Sequence, residues 1–152
     1  VFKRTVMKIH LATDHAGLEL KDKIKQHLIE LGNDVIDHGA YEYDALDDYP
    51  DFITPCAKAV AEDSKCRGII LGGSGQGEAI AANRINGVRA AVFYNGPKEI
   101  IELSRQHNNA NILSLGARFM SEEEIYQIIE IWLNTDFEGG RHQRRINKLD
   151  NY

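Results

Sequence analysis

One stretch of the sequence combines glycines, a hydroxyl and a carboxylate in a pattern that could do chemistry. This glycine loop reads Gly72-Gly73-Ser74-Gly75-Gln76-Gly77-Glu78, between an apolar run at residues 68–71 and a helix-like segment at residues 79–84. The amides of a strand-to-helix turn, with a helix N-terminus behind them, form a site for an anion or a developing oxyanion. Glu78 would sit in the first helical turn, as a partner of the helix dipole or as a base. Both interpretations stay open at this point.

The spacing of the glycine loop does not match the best-known phosphate-binding loops. No Lys-Ser or Lys-Thr pair follows the last glycine, as a P-loop requires. The G-x-G-x-G spacing comes after the third strand pattern, whereas a dinucleotide fingerprint follows the first strand. As a bare pattern, the loop fits a ligand site and a tight structural turn equally well.

Asp14, His15 and Tyr49 are further residues whose types suit a binding site. Taken alone, Asp14 suits a helix cap, His15 a surface position and Tyr49 a place in the core. Asp14 and His15 directly follow the first strand pattern, and strand ends are where parallel sheets bind ligands. Their position therefore favours a functional interpretation over the simpler one.

Two basic groups lie in the second half of the chain. His107 falls at a predicted helix end, where a histidine commonly interacts with the helix dipole. Arg141 and Arg145 are four residues apart at a helix start, so they share one face. That face is either a solvated basic surface or a phosphate clamp, because guanidinium groups bind phosphate with two parallel hydrogen bonds.

The elements that must position these residues alternate between strand and helix. Strand patterns occur at residues 8–13, 33–39, 67–71, 88–94 and 111–115, and helical patterns occur at residues 18–31, 52–63, 79–84, 97–106 and 121–133. The alternation predicts a doubly wound α/β fold, Rossmann- or flavodoxin-like, with helices on both faces of a five-stranded parallel sheet in the order 2-1-3-4-5. In that order the switch point lies between strands one and three, which would place Asp14 and His15 beside the glycine loop.

Length and composition narrow the class of protein. The chain has 152 residues, 43% of them hydrophobic and 27% charged, which suits a single domain over residues 1–152 with residues 1–6 as an N-terminal extension. The net charge of -5 gives no attraction to nucleic acid or anionic membranes, and no apolar run is long enough to span a bilayer. Cys56 and Cys66 form no C-x-x-C pattern, so we expect buried free thiols in a cytoplasmic protein. No cluster has metal-ligand spacing, and we expect neither a metal nor a cofactor.

Five short motifs occur in order along the chain. They are Thr13-Asp14-His15-Ala16-Gly17, Asp48-Tyr49-Pro50, the glycine loop with Ala81-Ala82-Asn83, Ser104-Arg105-Gln106-His107-Asn108, and Glu138-Gly139-Gly140-Arg141-His142. Together they resemble the ribose-5-phosphate isomerase B family, which also contains the galactose-6-phosphate isomerase subunits. The resemblance covers nearly all of residues 7–149, and five motifs together are far more specific than any one of them.

The resemblance implies an aldose–ketose isomerase that acts on a phosphosugar through an enediolate. By that likeness Glu78 is the base that moves a proton between C2 and C1, and His107 opens the furanose ring with help from Asp14. The substrate-binding residues implied in the same way are His15, Tyr49, Gly73, Ser74, Gly75, Gln76, Gly77, Asn108, Arg118, Arg141 and Arg145. Family members are dimers or tetramers with sites at the subunit interface, so the basic C-terminal helix, residues 141–152, would reach a neighbour's site.

One position departs from the pattern of many family members. They carry a catalytic cysteine two residues before the Ser or Thr of the loop, where this chain has Gly72. Cys66 lies before the third strand pattern and does not match that motif. The sequence therefore resembles the branch that uses a glutamate, and Glu78 is the expected base. Whether burial raises its pKa or the helix N-terminus lowers it stays open.

The leading hypothesis is an isomerase that interconverts ribose 5-phosphate and ribulose 5-phosphate in the cytoplasm. A second hypothesis keeps the chemistry but takes a six-carbon substrate, galactose 6-phosphate or allose 6-phosphate. A third, from another class, is a non-catalytic module that binds a nucleotide or phosphate. That third reading needs none of Glu78, His107 and Asn108.

Overall fold

The computed structural model describes residues 6–151, so the predicted N-terminal extension lies, except for Val6, outside the described residues. The five strands are β1 Lys8–Thr13, β2 Asp34–Asp37, β3 Arg67–Gly72, β4 Ala90–Phe93 and β5 Ile112–Gly116. Within the described residues, the six α-helices are α1 Leu18–Glu30, α2 Pro50–Glu62, α3 Gln76–Asn83, α4 Glu99–Gln106, α5 Glu122–Asn134 and α6 Arg141–Ile146. Short 3-10 helices at His15–Gly17 and Ala117–Phe119 follow β1 and β5.

Local sequence signals account for most of these bounds. Gly32 has φ +91° and closes α1, as expected of a glycine after a helix. Ser121 caps α5 by accepting a hydrogen bond from the Glu124 amide at 3.2 Å. Pro50 occupies the start of α2, two residues before residue 52, where the helical pattern begins. As a result, Pro55 lies inside the helix, beyond its first turn.

All five strands are parallel, in the order β2-β1-β3-β5-β4. The predicted order 2-1-3-4-5 is therefore wrong at one edge, where β5 and not β4 pairs with β3. The burial of the two strands explains the exchange: β5 is buried at every residue, whereas β4 is only partly buried and suits the edge. The switch point between β1 and β3 is unaffected, because the exchange involves the far side of the sheet.

Helices cover both faces of the sheet, as predicted. On one face α1, α4 and α5 pack on β1, β3 and β5 around the fully buried Trp132. On the other face α2 and α3 pack through small residues, and this cluster includes Cys56 and Cys66. Both cysteines are buried free thiols, and burial raises the pKa of each. Within residues 6–151, no helix combines the length and the apolar character that a membrane crossing requires.

A buried lysine anchors the chain after β2. Lys21 is 1% exposed, and its ammonium lies 2.7 Å from both carboxylate oxygens of Asp37 and 2.7 Å from the Ala40 carbonyl oxygen. The Ala40 amide in turn donates to the Thr13 carbonyl at 2.7 Å. Residues 38–49, which join β2 to α2, form an acidic loop. The ion pair therefore holds the start of this acidic loop against the end of β1, directly before Asp14.

Candidate active site

The ends of β1 and β3 bring two carboxylates to the carboxyl edge of the sheet. Thr13 pairs with Leu71, so Asp14 and the glycine loop leave the sheet side by side. The Asp14 side chain accepts a hydrogen bond from the Ala16 amide at 2.9 Å. Glu78, in the first turn of α3, is 5% exposed, and Asp14 is 8% exposed. The two acids are thus withdrawn from solvent at the switch point.

The Glu78 carboxylate fills the space in front of Gly72. An ideal Cβ at Gly72 would collide with the carboxyl carbon and both oxygens of Glu78. Burial raises the pKa of the Glu78 carboxyl above its ordinary value of 4.5, and the charge of Asp14 adds to the rise, although a hydrogen bond from its own backbone amide opposes both. The side chain therefore fills the space beside Gly72 as a buried carboxyl group whose pKa is raised.

The glycine loop is held in shape by the neighbouring strand. Gly75 has φ +77°, and an ideal Cβ there would lie 3.0 Å from the Leu115 backbone. Its carbonyl accepts a hydrogen bond from the Ser114 hydroxyl at 2.6 Å and from the Ala79 amide at 3.1 Å. The loop thus leads directly into the N-terminus of α3, where backbone amides favour an anion.

Two predicted residues from other elements, Arg118 and Tyr49, border this loop. The Arg118 amide donates to the Gly73 carbonyl at 3.1 Å, and its guanidinium lies over Gly73. Arg118 reaches this place because β5, which precedes it, lies next to β3. The Tyr49 ring covers Gly77, where an ideal Cβ would lie 2.9 Å from Cζ. Within the loop, the backbone amide of Gln76 donates to the Ser74 hydroxyl oxygen at 3.3 Å.

His15 is held by a residue that the sequence analysis did not single out. Asp47, in the acidic loop before α2, places Oδ1 2.6 Å from His15 Nδ1. This hydrogen bond, together with the nearby charges of Asp14 and Asp44, raises the pKa of His15. The pair is separated by 32 residues. No local pattern in the sequence indicates it.

The remaining predicted residues lie at the opposite, amino edge of the sheet. His107 follows the last residue of α4, and the chain from His107 to Asn111 leads into the start of β5. The Asn109 carbonyl accepts from Arg89 Nε at 2.9 Å, directly before β4 begins. His107 and Asn108 therefore flank the amino ends of the strands, not the carboxyl ends where Glu78 lies.

The C-terminal helix joins the same edge. The Glu138 amide donates to the Gln106 carbonyl at 3.0 Å, and one cleft is lined by His107, Asn108, His142 and Arg145. The His107 and His142 rings stack at 4.2 Å, each with Nε2 3.7 Å from Glu138 Oε1. Burial and the neighbouring positive charges lower the pKa of His142. Glu138 and His142 thus belong to this group, although their roles were not predicted.

The predicted site residues therefore form two groups in one chain. The carboxyl-edge group comprises Asp14, His15, Tyr49, residues 73–78 and Arg118, and the amino-edge group comprises His107, Asn108, Arg141 and Arg145. They lie at opposite ends of strands such as the six-residue β3, which spans about 20 Å at about 3.3 Å per residue. A pentose is much shorter than that, so the two groups of one chain cannot contact the same sugar.

Two clusters among residues 6–151 hold possible metal ligands within 4.8 Å of one another; they are His107 with Glu138 and His142, and Asp14 with His15 and Asp47. The first does not suit a metal, because imidazole binds an ion in its ring plane and these two rings stack only 12° from parallel. In the second, a proton joins His15 Nδ1 to Asp47 Oδ1 at 2.6 Å. Neither arrangement has the geometry of a metal site.

Known proteins share both the sequence and the fold. The Ribose/Galactose Isomerase family matches residues 9–149. Ribose-5-phosphate isomerase B of Mycolicibacterium paratuberculosis is 43% identical over 147 residues, covering 96% of this chain and 91% of that protein. The crystal structure of ribose-5-phosphate isomerase B from Mycoplasma genitalium with bound ribulose-5-phosphate matches with a TM-score of 0.91 and 44% identity, covering 96% and 95% of the two chains. The Clostridium thermocellum ribose-5-phosphate isomerase B matches with a TM-score of 0.89 and 41% identity, covering 95% and 96%. This chain therefore belongs to the ribose/galactose isomerase family, as its five motifs predicted.

Proposed function

We infer that this chain is an aldose–ketose isomerase that interconverts ribose 5-phosphate and ribulose 5-phosphate. Its family supports this inference, as do relatives of 43% and 44% identity that are named for the ribose 5-phosphate reaction. The structural observation that carries it is the buried Glu78 carboxylate, which lies against Gly72 at the start of the glycine loop. A base in that position is what an enediolate mechanism needs.

The reaction moves one proton between neighbouring carbons, with no net oxidation. The Glu78 carboxylate removes the proton from C2 of the open-chain aldose, and the electrons of that C–H bond form the enediolate. The Glu78 carboxyl then returns the proton to C1, while a hydroxyl proton passes from O2 to O1. The product of these two transfers is the ketose. A positioned base contributes about 10²–10⁴-fold, most effectively when its pKa is close to the working pH.

The glycine loop stabilises the charge that develops in this reaction. The amides of residues 73–77, with the Ser74 hydroxyl and the Gln76 side chain, surround the enediolate oxygens. Each donor at such a position contributes about 10²–10³-fold. Asp14 assists ring opening, and its charge adds to the rise that burial causes in the pKa of Glu78. Tyr49 closes the loop from the side of α2.

We further propose that each active site is formed by two chains. The carboxyl-edge group of one chain supplies the base, the glycine loop, His15 and Arg118. The amino-edge group of its neighbour supplies His107 for ring opening, Asn108 for the enediolate oxygens, and Arg141 and Arg145 for the phosphate. Two separate half-sites in one chain, about 20 Å apart by the length of β3, support this arrangement.

Helix α3 offers a surface on which two copies could join. It runs from Gln76, two residues before Glu78 at the carboxyl edge, to Asn83 at the amino edge, where the Asn83 side chain bonds to both the amide and the carbonyl of Ala90. Ile80 in its middle is 59% exposed. Two α3 helices packed antiparallel about a twofold axis would bring each amino-edge group toward the partner's Glu78. A homodimer, or a tetramer of such dimers, follows from this symmetry.

Replacing Glu78 by Gln tests the chemistry. We expect kcat to fall by about 10²–10⁴-fold while the phosphosugar still binds, because the amide keeps the shape of the side chain but cannot accept the proton. A coupled isomerase assay gives kcat, and calorimetric titration with ribose 5-phosphate gives the affinity. Full activity of this variant would refute the assignment of the base.

Mixing two inactive variants tests the shared site. Glu78→Gln and His107→Asn damage opposite halves, so a mixed dimer contains one site with both changes and one site with neither. If random exchange makes half of the dimers mixed, activity should recover to about a quarter of the wild-type value. A site built within one chain predicts no recovery at all. Exchange is verified with two affinity tags, so that a failure to mix is recognised.

The family description also favours one alternative substrate. It names galactose beside ribose, so a six-carbon sugar phosphate is the second candidate. Rates on ribose 5-phosphate, allose 6-phosphate and galactose 6-phosphate decide between them. A non-catalytic phosphate-binding module would bind these compounds without turnover. We also propose that residues 1–152 form a single sugar-phosphate isomerase domain and that the protein is cytoplasmic, as its cysteine usage predicts.

A further inference from the structure

One carboxylate oxygen fixes both the ring and the backbone of His15. Asp47 Oδ1 accepts one hydrogen bond from the His15 ring nitrogen Nδ1 at 2.6 Å and another from the His15 backbone amide at 3.2 Å. The Asp47 side chain is 8% exposed, whereas that of His15 is 30% exposed. A withdrawn carboxylate therefore holds a histidine whose ring still reaches solvent.

This contact determines which nitrogen of His15 can meet a ligand. A carboxylate only accepts hydrogen bonds, so Nδ1 carries the proton and Nε2 is the nitrogen left for other partners. The ring also packs against the edge of Tyr43, with centroids 5.8 Å apart and planes at 84°. Two contacts from the same loop thus orient the imidazole.

The charge on His15 follows from the same contact. Nε2 donates a hydrogen bond only if the ring carries both protons, because Nδ1 already holds one. The Asp47 hydrogen bond is the largest influence that raises the pKa of His15, and Asp14 and Asp44 raise it further. Glu19 and Lys23 line the same cleft, where Lys23 bonds to Glu122 at 3.2 Å. The local field therefore favours a donor at Nε2.

We propose that Asp47 is a positioning residue that presents His15 Nε2–H to the phosphate of the substrate. The inference rests on the proposed substrate-binding role of His15, which it assigns to the phosphate group. Asp47 also makes the acidic loop part of the site. Its own amide bonds to the Asp44 carbonyl at 3.0 Å, and Tyr49, two residues on, covers Gly77. Phosphate binding at His15 and the closure of the glycine loop by Tyr49 are thereby linked through one short segment.

Asp47→Asn is the direct test. A hydrogen bond to a charged group is worth roughly tenfold or more, so we expect KM for ribose 5-phosphate to rise about tenfold with kcat nearly unchanged. The wild-type KM should rise with pH as His15 loses its second proton, and in the variant this rise should begin at lower pH. Glu42→Gln, which removes a charge from an exposed position of the same loop, is the control with unchanged KM.

His15→Gln, measured in parallel, separates the phosphate role of His15 from the positioning role of Asp47. If KM is unchanged in His15→Gln, the phosphate role of His15 is wrong. If His15→Gln raises KM but Asp47→Asn does not, or if Asp47→Asn lowers kcat alone, Asp47 is not a positioning residue. The double variant should behave like His15→Gln alone.

A measurement on the wild-type protein guards against misfolding of the variant. Nitrogen-15 NMR of the histidine rings should show His15 protonated at Nδ1 in its neutral form, with a pKa above 6.5. A neutral ring protonated at Nε2 would overturn the proposal.

Discussion

Replacing Gly72 by alanine should remove most of the activity without unfolding the protein. An ideal Cβ at this position lies closer to the carboxyl atoms of Glu78 than the 3.0 Å below which an atom must shift. The atoms that it meets are the end of a flexible side chain, so the carboxylate moves and the β3 backbone stays. Gly72 does not have a left-handed φ, and alanine therefore adds no backbone strain there.

The two expected magnitudes differ greatly. Displacing the base should cost up to its whole contribution, about 10²–10⁴-fold in kcat. Moving Glu78 to another rotamer costs only about 1 kcal/mol, so the free energy of unfolding should change by no more than roughly that amount. Activity and stability should therefore separate in this variant.

The assay compares kcat with thermal unfolding for Gly72→Ala, Glu78→Gln and the double variant. In the Glu78→Gln background, Gly72→Ala should have little further effect, because no base remains to be displaced. If kcat of Gly72→Ala stays within about tenfold of the wild-type value, the loss is smaller than the smallest usual contribution of a base, about 10²-fold. That result would refute the reasoning that Glu78 acts from the space in front of Gly72.

Three further predictions concern titratable groups that the fold shields from solvent. Lys21→Met should lower the free energy of unfolding, measured by chemical denaturation, by about 3–5 kcal/mol, because it leaves the buried Asp37 carboxylate without its main partner. A loss below about 1 kcal/mol would contradict this expectation. Since Glu78 acts when ionised and its pKa is raised, kcat/KM should fall as the pH drops through a value above 4.5, and an acid limb at or below 4.5 would oppose the assignment. Burial lowers the pKa of both His10 and His38, whose ring nitrogens lie 2.8 Å apart. As the pH falls below about 6.5, these histidines therefore take up protons in the unfolded chain before they do so in the folded protein, and the free energy of unfolding decreases. The decline of Tm from pH 7 to 5.5 should be shallower in His38→Gln, and an equal slope would count against the pair.

Much of the fold could be predicted from local patterns. Apolar runs placed all five strands within a few residues, and Gly32 and Ser121 marked helix ends where the structure has them. The positions of Asp14 and the glycine loop at neighbouring strand ends followed from the rule for parallel sheets. At this site the rule depends only on β1 and β3 being neighbours, so the wrong order of β4 and β5 did not affect the predicted position of the site.

The error itself shows where local patterns stop. β4 and β5 are both short apolar runs, and nothing in their composition states which one pairs with β3. That choice depends on how much surface each strand buries against α3, α4 and α5, which is a property of the packed protein. Arg118 reaches Gly73 only because β5 takes the inner place.

By itself, the sequence singled out the residues that could do chemistry: the glycine loop with Glu78, His107, and the paired Arg141 and Arg145. These are local features, because motif spacing and side-chain type are written along the chain. Only the tertiary structure decided that Glu78 fills the space over Gly72, that its pKa is raised, and that His107 lies at the opposite edge of the sheet. Burial, electrostatic environment and the separation of two edges arise from contacts between residues far apart in sequence, and no local pattern records them.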